Sequence, residues 1–170
     1  MKMLVKRMED AINDQMNFEI YSAHIYLSMV SYFESQGLPG FANWMRAQYQ
    51  EEIFHAMKMF DYLNEAGGRA VISALDAPTT EWESPLAAFE NALEHEQLVT
   101  SRINNLMDIA REESDHATSI FLQWFISEQV EEEASVGDIV NKLRLVGDGG
   151  ALFMLDRDLS TRVFTAPKEE

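Results

Sequence analysis

The sequence predicts an all-α protein: four long amphipathic helices packed as one bundle, a long connection between the second and third, and a short fifth helix. Three observations predict it. Four segments carry apolar residues at steps of three and four, the spacing that keeps side chains on one helical face. Glycine and proline punctuate the chain between those segments. The gaps run short, long, short, and 170 residues suffice for a substantial core in one domain, 1–170.

The first helix, α1, is expected over about 4–36, with the stripe Ile12, Met16, Glu19, Ala23, Tyr26, Val30 and Phe33, and stops at Gly37. Pro39-Gly40 opens α2, about 39–66, whose stripe is Phe41, Met45, Gln48, Glu52, His55, Met59 and Tyr62; Gly67-Gly68 ends it. From Arg69 to Glu83 there is little helical pattern. Ser84-Pro85 reads as an N-cap followed by proline in the first turn of α3, about 85–114, with the stripe Phe89, Ala92, Glu96, Val99, Ile103 and Leu106. After Ser114-Asp115 comes α4, about 116–146, with Leu122, Phe125, Gln129, Glu132, Val136, Ile139 and Leu143. Gly147-Asp148-Gly149-Gly150 breaks the chain before α5, about 151–163. Ala151, Leu152, Phe153, Leu155 and Leu159 are too apolar for an isolated surface helix, yet a finished four-helix core does not need them.

Tight turns make α1–α2 and α3–α4 antiparallel hairpins. The connection between the hairpins has roughly 18 residues, which extend to about 60 Å. A helix of about 28 residues is only about 42 Å long. The connection can therefore cross the whole bundle and set α3 parallel to α2.

Each stripe is interrupted at mid-height by residues that bind cations: Glu19, Glu52 and His55, Glu96, then Gln129 and Glu132. Unpaired carboxylates in a core cost several kcal/mol or are forced neutral. Glu19 and Glu96 lie 77 positions apart, as do Glu52 and Gln129, and His55 and Glu132. Two hairpins related by a pseudo-twofold axis would bring both sets to one point. Several carboxylates with one imidazole and no thiolate suit a pair of hard or borderline ions; iron or manganese fits better than structural zinc.

Glu19, the Glu52-x-x-His55 pair and Glu96, with the long crossover and the tail helix, resemble the ferritin-like di-iron carboxylate pattern. The segments Gln15-Met16-Asn17-Phe18-Glu19, His95-Glu96-Gln97-Leu98, Phe121-Leu122-Gln123-Trp124 and Leu155-Asp156-Arg157-Asp158-Leu159-Ser160 resemble prokaryotic non-haem ferritin in particular. The resemblance covers essentially the whole chain. It implies a ferroxidase that oxidises Fe(II) with dioxygen or hydrogen peroxide and stores ferric mineral in a hollow shell of twenty-four subunits. It also implies that α5 packs around the fourfold axis of that shell.

The resemblance implies two irons per subunit, held by Glu19, Glu52, His55, Glu96, Gln129 and Glu132. Glu19 and His55 would serve one iron and Glu96 the other, with Glu52 between them. Gln129 stands where relatives with a second Glu-x-x-His have glutamate, either as a ligand or as a hydrogen-bonding neighbour of one. Glu51, Glu128 and Glu131 match a third iron site, which would share Glu132. Tyr26 and Trp124 could supply an electron. Ile53 stands where bacterioferritin places its haem-ligating methionine, so no haem is expected.

Thirteen basic against twenty-nine acidic residues give a formal charge of −16, which disfavours nucleic acid and anionic membrane and favours cations. Without cysteine there is no disulfide and no thiolate chemistry. No apolar run approaches a membrane span and the first fourteen residues lack a signal-peptide pattern, so a cytoplasmic address is expected. His24, His95 and His116 fall off the stripes and are expected at the surface or an interface. Two alternatives are weaker. A ferritin-like di-iron peroxidase or oxidase would carry a second Glu-x-x-His or a rubredoxin-like cysteine set. A storage shell with little oxidase activity would lack the buried ligands.

Overall fold

A computed structural model describes residues 4–147 and 149–167; Asp148, in the expected glycine-rich break, lies outside them. The helices are α1 (Lys6–Ser35), α2 (Pro39–Glu65), α3 (Pro85–Glu112), α4 (His116–Val146) and α5 (Gly150–Leu159). They form an all-α four-helix bundle with a short fifth helix, and no strand occurs among the described residues.

The boundaries have local causes. Ser84 Oγ accepts from the Ala87 N–H at 3.1 Å and caps α3. Asp115 Oδ1 accepts from the Thr118 N–H at 3.0 Å and caps α4. Leu38 offers α2 no side-chain cap. Its N–H groups at Gly40 and Phe41 donate instead to Asp156 Oδ1, at 2.8 and 3.0 Å. A carboxylate from α5 thus sits at the positive end of the α2 dipole. Gly40 is required for that approach, because a Cβ there would stand 1.6 Å from the Asp156 carbonyl oxygen.

The tail departs from the sequence expectation in two ways. α5 ends at Leu159, short of residue 163. The Asn43 amide donates to the carbonyls of Leu159, Ser160 and Arg162 at 3.3, 3.2 and 2.9 Å and draws the chain off the helix. In addition, Leu155 and Leu159 belong to the same core as Phe41, Trp44 and Leu143, so the bundle does use them. Phe153 and Met154 face outward, 72% and 70% exposed.

The connection between α2 and α3 runs the length of α1. The Asn13 amide donates to the Arg69 carbonyl and its Oδ1 accepts from the Val71 N–H, at 2.9 and 2.7 Å. Asn17 does the same for the Val71 carbonyl and the Ser73 N–H, at 2.8 and 2.9 Å. Further along, Ser28 Oγ donates to the Thr79 carbonyl, and Trp82 packs edge-on against Tyr32. Side chains of α1 therefore satisfy backbone groups of an extended segment that has no sheet to join. Because this segment ends beside the last turns of α1, α3 starts where α2 starts and runs parallel to it.

Every stripe residue predicted from the sequence is buried except half-buried Tyr62, whose hydroxyl bonds Thr118 Oγ1 at 2.8 Å. The apolar core is in two blocks. One contains Tyr26, Phe33, Phe41, Met45, Phe89, Val136 and Ile139. The other contains Ile12, Met16, Met59, Val99, Ile103, Leu122 and Phe125. The ionisable residues of the stripes fall in sequence between these two sets on all four helices.

Candidate metal centre

α1 brings Glu19 to the bundle axis, α2 brings Glu52 and His55, α3 brings Glu96, and α4 brings Gln129 and Glu132; all six are buried. One ligand atom from each of Glu19, Glu52 and His55 lies within 4.8 Å of the others. His55 Nδ1 stands 3.5 Å from Glu52 Oε2.

Burial pushes the carboxyls of Glu19, Glu52, Glu96 and Glu132 up to about 8. Mutual repulsion adds to it: Glu52 acts on Glu19 and Glu96, Glu132 on Glu52, and Glu96 on Glu132. Four carboxyls cannot all ionise in such a space without cations. Among the described residues Glu19 Oε2 is buried with no hydrogen-bond partner. Carboxylates with one imidazole and an orphaned oxygen fit divalent iron, and with four carboxylates two ions leave the layer near neutrality.

The carboxylates are held by donors from neighbouring turns. Gln15 Nε2 donates to Glu19 Oε1 at 2.7 Å. Gln48 Nε2 donates to both Glu52 Oε1 and Glu132 Oε2, at 3.0 and 2.7 Å. The Tyr26 hydroxyl donates to Glu96 Oε1, and burial raises the phenol well above its ordinary range. Gln129 Nε2 donates to Glu96 Oε2 at 3.1 Å. An amide nitrogen used in this way is no cation ligand.

Glu51, Glu128 and Glu131 lie together in an adjacent cleft of about 230 Å³, lined also by His55, Trp124, Glu132, Arg162 and Phe164. Burial raises the Glu128 carboxyl, and Glu131 adds to this after the opposing effect of His55. His55 and Glu132 line the cleft as well as the centre, so the two adjoin. The Trp124 ring meets His55 edge-on at 5.4 Å. Arg162, from beyond α5, donates to Glu51 Oε2 and to Gln48 Oε1.

His95 departs from the expectation of a surface or interface position. It is buried, its Nε2 meets Ser22 Oγ at 2.7 Å, and its ring stacks on Phe18 at 5.3 Å. Burial, helped by the Arg102 charge, holds it down to about 4, so it is neutral at pH 7. His24 and His116 are exposed. Sequence reasoning missed the donors Gln15, Gln48, Arg102 and Arg162. The spacing Gln-x-x-x-Glu, present at Gln15–Glu19 and again at Gln48–Glu52, was the available signal for the glutamines. The arginines reach in from other elements and left none.

The comparisons with known proteins agree with this architecture. The ferritin-like domain matches residues 9–146. The chain is 44% identical over 160 residues to a bacterial non-heme ferritin of Bacteroides fragilis, covering 94% of this chain and 100% of that one. It is 43% identical over 163 residues to a bacterial non-heme ferritin of Staphylococcus aureus, with coverages of 95% and 98%. An open-pore ferritin from the hyperthermophilic archaeon Archaeoglobus fulgidus superposes with a TM-score of 0.93 at 57% identity, covering 94% of this chain and 99% of that one. A closed form engineered from the Archaeoglobus fulgidus ferritin gives 0.94 at 58%, covering 95% and 99%. With its buried carboxylate layer in the middle of a four-helix bundle, the chain belongs to the ferritin family.

Proposed function

We propose that this chain oxidises Fe(II) at a two-iron centre inside one bundle and stores the ferric product in a hollow shell of twenty-four copies. The observation that carries the reading is the layer of four buried carboxyls, all pushed up to about 8, with an unpartnered oxygen on Glu19. Iron is the substrate. Glu19 and His55 take one ion, Glu96 the other, and Glu52 lies between; Glu132 completes the site, with Gln129 as the hydrogen-bonding neighbour of Glu96.

Carboxylates favour Fe(III) over Fe(II), so the ligand set drives the reaction towards product. Two Fe(II) ions each give one electron, and dioxygen with two protons becomes hydrogen peroxide; peroxide as oxidant becomes water. Drawing both electrons from one site avoids a free one-electron product. The protons displaced from the carboxyls on metal binding are available beside the reacting oxygen. In this reading Tyr26, hydrogen-bonded to Glu96, gives a proton or an electron there. Glu51, Glu128 and Glu131 hold a third ion in the cleft and pass ions between centre and cavity.

Outward-facing Phe153 and Met154 on α5, together with Val71 and Ile72 on the crossover, 53% and 62% exposed, suit contacts with further copies. Among the described residues no helix is long and apolar enough to cross a membrane; we read the shell as cytoplasmic. His55→Ala tests the centre. It should lose the first ion and slow aerobic Fe(II) oxidation by at least tenfold while leaving assembly intact. Oxidation as fast as in the parent would show that the centre is assigned wrongly.

A further inference from the structure

Two arginines from different parts of the chain end in the same arrangement beside the buried carboxylates. Arg102, on α3, donates from Nε to Gln15 Oε1 at 2.8 Å, and Gln15 donates to Glu19. Arg162, beyond α5, donates from Nη2 to Gln48 Oε1 at 2.9 Å, and Gln48 donates to Glu52 and Glu132. Each guanidinium is anchored further by a ring and a carboxylate. Arg102 lies over the Phe18 ring at 4.0 Å and pairs with Asp14 at 2.7 Å. Arg162 lies over the Trp44 ring at 4.0 Å and pairs with Glu51.

A glutamine amide has two orientations of the same shape, related by exchanging its oxygen and nitrogen. Beside a carboxylate they are opposites: the nitrogen donates to it, whereas the oxygen repels it. An arginine has donors only, so a glutamine that faces one must offer its oxygen and turn its NH₂ the other way. We propose that Arg102 and Arg162 are positioning residues of the metal centre, each locking a buried glutamine so that its NH₂ faces the ligand carboxylates. The inference rests on the metal-centre reading above.

The consequences differ between the two relays. Arg102 acts through Gln15 on Glu19 alone, hence on the ion shared with His55. Arg162 acts through Gln48 on a pair, because that amide spends one N–H on Glu52 and the other on Glu132. It thereby sets the spacing between a carboxylate of α2 and one of α4. The residues after α5 thus reach the centre of the bundle, although no ligand lies there.

Anaerobic Co(II) titration of the intact assembled protein tests this, read by the d–d absorption bands that report coordination geometry. Hydrogen-bonding partners of metal ligands change affinity by about 10–100-fold when lost. Arg162→Met, which keeps an apolar stem over Trp44, should weaken Co(II) binding at least tenfold and alter the bands. In a Gln48→Leu background the same substitution should change affinity less than twofold, because the relay is already broken. Arg102→Met with Gln15→Leu forms a second, independent cycle should the first pair fail to assemble.

An arginine acting only as a charge predicts the opposite sign, since removing a cation from an acidic cleft should tighten Co(II) binding. Unchanged or tighter binding in Arg162→Met overturns the proposal. So does a loss that persists undiminished in the Gln48→Leu background, which would mark a merely structural residue. A parent protein that binds no Co(II) refutes the metal-centre reading itself, and that result is visible before any variant is made.

Discussion

Replacing Glu19 by glutamine should stabilise the metal-free protein, and by an amount that grows with pH. Glu19 is 1% exposed, and its carboxyl is displaced from an ordinary 4.5 to about 8. Below pH 4.5 the folded and unfolded chains both hold the proton. As pH rises from 4.5 towards 8, the unfolded residue ionises while the buried one stays protonated, so the unfolded state gains. Each pH unit in that window costs about 1.4 kcal/mol, and roughly 3 kcal/mol is lost by pH 7. Glutamine never ionises, fills the same volume, and keeps an oxygen for the Gln15 amide that donates to Glu19 at 2.7 Å. Thermal unfolding of chelator-treated protein, followed by circular dichroism, is the assay. Glu19→Gln should melt near the parent at pH 4.5 and roughly 6–12 °C above it at pH 7. Adding Co(II) should reverse the order, because only the parent has the full ligand set to stabilise by binding. A melting gap that does not widen between pH 4.5 and 7 would refute the buried-carboxylate argument.

Tyr26→Phe removes a donor from Glu96 and should cost about 1–2 kcal/mol of stability, more than ring volume alone suggests. If the phenol gives an electron, rapid-freeze spectroscopy during aerobic iron addition should show a tyrosyl radical in the parent and none in this variant; identical spectra would leave it a packing residue. Glu131→Ala should preserve the initial fast phase of iron oxidation and change uptake on a second addition. An unchanged multi-turnover profile would reduce Glu131 to surface charge.

Much of this architecture was legible because buried faces repeat at helical spacing. The stripe from Ile12 to Phe33 is buried throughout, and the connection before Ser84 is long enough to cross the bundle, which it does. The burial of the six polar stripe residues was also legible, since a polar side chain on an apolar stripe is conspicuous. What escaped depends on contacts between elements distant in sequence. Asp156 caps α2 from more than a hundred residues away, and nothing near Pro39 announces it. His95 looked like a surface residue because it precedes the stripe position Glu96, yet the helix turns it against Phe18 and Ser22. Arg162 sits in a polar tail with no periodicity, and only the path of the chain after α5 carries it to Gln48.

The most direct measurement is anomalous diffraction at the iron edge from crystals soaked anaerobically in Fe(II). The account predicts two peaks within one bundle, one touching Glu19 and His55 and the other touching Glu96, with the Glu52 carboxylate bridging them. A single peak, or iron confined to the cleft of Glu51, Glu128 and Glu131 with the four buried carboxyls left protonated, would contradict it.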